Sequence, residues 1–206
     1  MQQLKKTHYT LEEYLELDYL SEEKIEYWDG NVFTLAGASV NHNRVLRNTL
    51  SALTVKLRGK PCEVFPSDMR VKVPAYPPYR YPDLSALCGE ARFENLGRQE
   101  LLVNPSLIIE ILSDSTAGFD RSYKFTYYKS IESFTEYVLI AQDRPHVAQF
   151  IKQNETDWLM REFNDLEMKF YLSSLDCELE LTEVYEGVTF PEIAPNPFYF
   201  NETSEQ

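Results

Sequence analysis

Three polar side chains interrupt apolar patterns in this sequence, and their types suit phosphoester chemistry. Glu110 stands inside Leu107-Ile108-Ile109-Glu110-Ile111-Leu112, a run that reads as a central strand covered on both faces. Alternation puts it on the side of Ile108 and Leu112. An ionised carboxylate left unpaired in an interior is strongly penalised, so Glu110 pairs with a base, binds a cation, or lies where the sheet opens to water. Lys124 breaks the rule with the opposite sign. Lys124, Tyr127, Tyr128 and Ile131 recur at i, i+3, i+4 and i+7, which gives an ammonium to the core-facing stripe of a helix. That side chain either snorkels along its own stem to water or meets Glu110 across the short loop 113–119. Asp83 opens a strand in Tyr81-Pro82-Asp83-Leu84-Ser85, where a turn or cap role is the ordinary one. Two carboxylates from adjacent strands have a further use. Mg²⁺ takes hard oxygen donors, usually one or two carboxylates plus waters, and such an ion polarises phosphate and activates water.

The elements that must position these residues follow from patterning. Thr10-Leu11-Glu12-Glu13 fits a capping box and predicts a helix over 10–19. Asp29-Gly30 between Ile25–Trp28 and Val32–Leu35 predicts a hairpin, with Glu26 on its first strand. Asn41 is the expected cap of a second helix to about Arg58. Its Leu46, Leu50, Leu53 and Leu57 would pack, while Arg44, Arg47, Ser51 and Arg58 lie opposite. Strands are expected near 62–65, 69–73 and 81–87, then at 107–112. A helix over 120–129 leads to a strand at 137–141, a strand, helix, strand unit, and the alternation beyond it reads as an antiparallel meander. The expected fold class is α/β (α+β), one domain over 1–195 with a loose tail at 196–206.

Composition narrows the function. With 206 residues, 43% apolar, the chain can bury a core of its own. No apolar run is long enough to span a bilayer and residues 1–10 lack the apolar stretch of a secretion signal, so a soluble, cytoplasmic protein is expected. Cys62, Cys88 and Cys177 are odd in number and widely spaced, which predicts free thiols. Three histidines without H-E-x-x-H leave a histidine-rich metal site unsupported. The absence of a P-loop or G-x-G-x-x-G removes the nucleotide-fold signatures, and no nucleophile elbow accompanies Ser113 or Ser115. The formal charge is −13, yet residues 41–82 carry eight basic and two acidic side chains, while residues 153–206 carry two and thirteen. A basic surface on an acidic body binds a polyanion locally, which makes Arg44, Arg47, Arg58 and Arg70 candidate DNA contacts; a solvated helix face with scattered strand charges is the ordinary alternative.

Pro82-Asp83, then Glu110 in an apolar strand, then an offset lysine resemble the PD-(D/E)XK nuclease superfamily. The wider pattern is Tyr9-Thr10-x-x-Glu13-Tyr14, Ile25-Glu26-x-x-Asp29-Gly30, His42-Asn43, Tyr81-Pro82-Asp83-Leu84, Ile109-Glu110-Ile111-Leu112-Ser113 and Glu136-Tyr137. It resembles the bacterial Uma-two family of restriction-endonuclease-like proteins over residues 9 to about 190. The resemblance implies a mixed sheet flanked by helices and a metal-dependent endonuclease acting on DNA. Asp83 and Glu110 would hold Mg²⁺ or Mn²⁺, with the Ile111 carbonyl assisting. Lys124 would orient or deprotonate the attacking water and stabilise the charge developing on the phosphorane, and Glu26 would be an additional carboxylate either on the metal side or behind the metal's ligands. The superfamily's usual lysine lies two residues after the acid, where this chain has Leu112, so the role passes to Lys124. A homodimer is expected, because two strands are naturally cut by two sites. The competing class is a catalytically silent module that keeps the fold and binds DNA or protein.

Overall fold

The computed structural model of the chain describes residues 2–3, 8–35, 37–75, 78–113 and 120–191. Its first elements are strand β1 (Gln2–Gln3), helix α1 (Leu11–Leu20), strands β2 (Ile25–Trp28) and β3 (Asn31–Thr34), and helix α2 (Val40–Lys56). The expected capping box starts α1: Thr10 Oγ1 accepts the Glu13 N–H at 3.2 Å, and the Thr10 N–H donates to Glu13 Oε2 at 2.9 Å. The β2–β3 turn places Asp29 and Gly30 at φ 45° and 82°, left-handed values that Gly tolerates without cost and Asp better than most residues. Helix α2 is capped by Ser39, whose Oγ accepts the His42 N–H at 3.0 Å, and not by Asn41. Asn41 instead donates to the Thr189 carbonyl at 2.8 Å.

The chain continues through β4 (Cys62–Pro66), β5 (Arg70–Lys72), β6 (Tyr79–Arg80), β7 (Leu84–Cys88), β8 (Phe93–Leu96), β9 (Gln99–Leu102) and β10 (Leu107–Leu112). The expected 81–87 strand is split into β6 and β7 around Tyr81-Pro82-Asp83, since proline offers no N–H to a ladder. A π-helical turn (Asp120–Lys124) then runs into α3 (Phe125–Tyr128). Strands β11 (Glu136–Ala141), β12 (Val147–Lys152), β13 (Trp158–Phe163), β14 (Lys169–Leu172) and β15 (Cys177–Glu180) follow, then α4 (Leu181–Val184).

The fold is α+β with several sheets. A six-stranded mixed sheet in the order β13-β12-β11-β10-β7-β4 forms its centre. Strands β10 and β11 are parallel, Leu107 opposite Glu136 through Leu112 opposite Ala141, as the expected strand, helix, strand unit requires. The other pairs in this sheet are antiparallel, and β12 and β13 form the expected meander. On one face Ile109 and Ile111 pack with α2 and the β14–β15 region; on the other, Ile108 and Leu112 pack with Phe125, Tyr128, Phe134 and Tyr137. A third cluster joins α1 and the β2–β3 hairpin to Tyr79 and Tyr81. No helix among the described residues is long and apolar enough to cross a membrane.

Two further expectations are corrected. Cys62 and Cys88 are not free thiols but a disulfide, because the antiparallel β4–β7 register makes them direct partners; Cys177 alone is free and buried. The buried stripe of α2 is also rotated: Val45, Asn48, Thr49 and Leu53 are buried, while Leu46 and Leu50 are only partly so. The reason is the acidic C-terminal region, which packs along this helix. Asn48 donates to the carbonyls of Val184 and Glu186, Lys56 pairs with Glu183 at 2.9 Å, and Lys60 with Asp176 at 3.5 Å. Part of the basic segment is thereby neutralised within the molecule. The proposed tail lies outside the described residues.

Candidate active site

One cleft, of about 480 Å³, opens at the C-terminal end of β10 between the first turn of α2, the β2–β3 hairpin and the π turn. Glu26, Asp83, Glu110, Ile111 and Lys124 all line it, joined by His42 and Asp120. Glu110 reaches it because the β10 alternation that buries Ile109 and Ile111 against α2 turns residue 110 to the other face. Asp83 reaches it from the neighbouring strand, where its Oδ2 accepts the Ile111 N–H at 2.7 Å and its Oδ1 lies 3.3 Å from His42 Nε2. Leu112, where the superfamily pattern would have lysine, is core and packs in the cluster that contains Phe125 and Tyr128.

The cation arrives from the π turn instead. Lys124 Nζ lies 3.1 Å from Glu110 Oε1 and 3.0 Å from Asp120 Oδ1, and Tyr128 OH donates to the same Glu110 oxygen at 2.8 Å. Asp120, Lys124 and Tyr128 recur every four residues, so one side of this segment presents an acid, an ammonium and a phenol. Tyr137 OH donates to the Asp120 carbonyl at 3.1 Å and ties the turn to the central sheet. Across the cleft, Glu26 is 1% exposed. Its Oε1 accepts the Tyr81 N–H at 3.1 Å, and its Oε2 is buried without a hydrogen-bond partner.

Burial sets the electrostatics. It pushes the Glu110 carboxyl up to about 8, and the nearby Asp120 and Asp83 charges push the same way, against the pull of Lys124. Burial alone would lower the Lys124 ammonium, but Glu110, Asp120 and Glu26 outweigh it and hold that group well above its ordinary value. Tyr128 is raised by burial and by Glu110, so its phenol keeps the proton it donates.

The lining holds five carboxylates, from Glu23, Glu26, Asp83, Glu110 and Asp120, against the two lysines Lys24 and Lys124. Lys24 is already committed to Asp68. An excess of hard oxygen donors, with Glu26 Oε2 and Asp120 Oδ1 buried and accepting no hydrogen bond, suits a divalent cation chemically. Among the described residues no three acidic, histidine or cysteine side chains are close enough to hold an ion jointly, so at most two such side chains would bind an ion directly, with main-chain oxygen and water as the other ligands.

The four arginines expected to touch DNA do not line this cleft. Arg70 pairs with buried Asp18 at 3.2 Å and lies over the Tyr79 and Tyr81 rings. Arg44 donates to Asn41 and Arg47 to the Asn48 side chain; Arg58 is exposed near the end of α2. His42 and Asp120 enter the site although the chain's patterning singles out neither for a role. The four-residue spacing from Asp120 to Tyr128 is the available signal for the latter. Ser115 lies outside the described residues.

This topology and cleft define a restriction-endonuclease-like α+β protein. The family described as "Putative restriction endonuclease", Uma2, matches residues 11–183, and the chain belongs to that family. An uncharacterized protein of Synechocystis sp., sll1609, is 38% identical over 153 residues, covering 74% of this chain and 86% of that protein. A second from the same organism, slr1290, is 27% identical over 179 residues, covering 87% and 92%. A crystal structure from Anabaena variabilis, described as "a putative nuclease belonging to DUF820", superposes with a TM-score of 0.67 at 18% identity, covering 86% of this chain and 97% of that one. That likeness is one of fold.

Proposed function

We propose that the chain is a divalent-metal-dependent endonuclease that hydrolyses DNA phosphodiester bonds. The observation that carries this reading is that Asp83, Glu110 and Lys124, brought from three separate parts of the chain, line one acid-rich cleft in a family described as "Putative restriction endonuclease". Asp83 and Glu110, with the Ile111 carbonyl, would hold Mg²⁺ or Mn²⁺, and Glu26 would add a carboxylate behind these ligands, reaching the ion through water. When bound, the ion supplies charge neutralisation at the phosphate and a more acidic water. The chain's own part is positional. The Ile111 N–H and His42 fix the Asp83 carboxylate; Tyr128 and Lys124 fix that of Glu110. Lys124, held as an ammonium, would orient the attacking water and face the charge that develops on the phosphate. The acting form is a homodimer in this reading, one site per strand. Exposed Arg47 and Arg58 remain candidates for backbone contacts outside the cleft.

The test is plasmid cleavage titrated with Mg²⁺ or Mn²⁺, comparing wild type with Asp83→Ala and Glu110→Ala. Metal-dependent cutting by wild type alone is expected, and equal cutting by all three overturns the reading. A second reading, a catalytically silent DNA- or protein-binding module, is favoured by one observation: the Lys124 ammonium is already engaged by two carboxylates. Salt-sensitive DNA binding without calorimetric metal binding is its signature.

A further inference from the structure

Asp120 has no part in the roles above, yet it is 2% exposed and stands beside the one ammonium buried in the cleft. A buried carboxylate at the first position of a π turn needs a reason, since π turns cost regular helix hydrogen bonding and concentrate at functional sites. Its Oδ1 lies 3.0 Å from Lys124 Nζ but accepts no directed hydrogen bond, so charge alone joins the two groups. Glu110 touches the same ammonium at 3.1 Å from the opposite element. Among the described residues Lys124 thus has two carboxyl groups within ion-pair distance, one on its own segment and one on the sheet.

We infer that Asp120 is a positioning residue, a resident counterion that keeps the Lys124 ammonium in the cleft when Glu110 is no longer available to it. The need for it is electrostatic. Any cation that takes Glu110 removes that carboxylate's charge from Lys124 and adds repulsion. An ammonium left without a counterion in a buried site would leave for solvent or lose its proton. Asp120 lies within its own turn of Lys124, and its main chain is tied to the sheet by Tyr137, so its position does not depend on what Glu110 binds. The significance of this device for catalysis rests on the nuclease reading, but the device itself does not.

The experiment follows the Lys124 side-chain ammonium by ¹⁵N NMR in lysine-labelled full-length protein, the signal assigned by its loss in Lys124→Arg. A buried, doubly paired ammonium exchanges slowly with water and gives a resolved signal. Glu110→Gln is expected to keep that signal, because Asp120 still holds the group. Asp120→Asn should also keep it, through Glu110, with exchange faster by about tenfold. The double variant should lose it, and Asp120→Glu in the Glu110→Gln background should restore it. Loss in Glu110→Gln alone, in a protein whose circular dichroism is unchanged, overturns the inference. An unchanged exchange rate in Asp120→Asn overturns it too, and that second measurement stands if Glu110→Gln does not fold. Failure of Mg²⁺ to bind the wild type would instead count against the nuclease reading alone.

Discussion

Asp83 and Glu110 each stand one residue beyond the last pair of an antiparallel ladder, Ile109 opposite Leu84. The register that sets Ile108 opposite Ser85 and Ile109 opposite Leu84 sets Glu110 opposite Asp83 one step further, past the last paired residue of β7. Pro82 ends the ladder there, and the Asp83 carboxylate turns to accept the Ile111 N–H at 2.7 Å. Two acids far apart in sequence become neighbours at the mouth of the cleft through strand register alone.

In the nuclease reading, loss of either acid should remove metal binding without unfolding the sheet. Asp83→Asn and Glu110→Gln are expected to lower metal-dependent cleavage by about 10²-fold or more. Calorimetric Mg²⁺ affinity should fall in parallel, with Tm changed by only a few degrees. Retained affinity in both variants would place the ion elsewhere.

Lys124 should matter for stability as well as chemistry. Lys124→Met leaves Glu110 and Asp120 buried without their shared cation, which costs about 3–5 kcal/mol for a broken buried pair. For a chain of this size the Tm should drop by roughly 10 °C. Lys124→Arg, which keeps the charge, should lose much less. A differential scan of the three proteins decides.

The raised Glu110 carboxyl gives a signed pH dependence. Its folded value, about 8, lies above its ordinary value of 4.5, so between these limits the folded protein holds a proton that the unfolded chain releases. This contribution to stability is fully present below pH 4.5 and is lost as pH rises through 8. In metal-free protein, stability should decline over that window, and Glu110→Gln should flatten the decline. A cation that needs the ionised carboxylate must displace the proton, so Mg²⁺ affinity should rise with pH up to about 8. Calorimetry in buffers of different ionisation enthalpy would detect the released proton.

Arg70 and the helix arginines should separate cleanly. Arg70→Ala strips the ion pair from Asp18, a buried carboxylate that also accepts from Tyr79 OH at 2.7 Å, and should cost about 3 kcal/mol with little change in DNA affinity. Arg47→Ala and Arg58→Ala should alter stability by about 0.5 kcal/mol or less. If the nuclease reading holds, they should weaken DNA binding and shallow its salt dependence. A urea melt beside a salt titration measures both.

The cystine predicts a thiol count. Protein purified without reductant and then unfolded should titrate one thiol, from Cys177, and three after reduction. Reduction should lower stability by about 3 kcal/mol, the loop-entropy value for a closure of this length. Three reactive thiols in the unreduced protein would contradict the pairing.

Local rules made much of the fold legible. The Thr10 capping box, the Asp29-Gly30 turn and the apolar runs of β10 and β11 each depend on residues adjacent in sequence, and each element formed where its pattern lies. The family resemblance drew on the same short motifs. What failed was decided by partners far along the chain. The Cys62–Cys88 pairing needs the β4–β7 register, and the buried face of α2 is set by residues 184–186. The split of the 81–87 run follows from Pro82, which has no N–H for a ladder, although alternation across the run gives no sign of a break.

For the site, the sequence determined which side chains were anomalous: a carboxylate and an ammonium among apolar neighbours are costly wherever the chain puts them, so Glu110 and Lys124 declared a need for partners. It could not determine who the partners were. Tertiary structure decided that Lys124 is shared between Glu110 and Asp120, that His42 faces Asp83, and that Arg70 serves Asp18 rather than the cleft. The physical reason is range. Patterning reports whether a residue faces core or solvent, whereas a charge interacts with whatever group the fold brings within a few ångströms, and that is fixed only when strands, turn and helix are packed together.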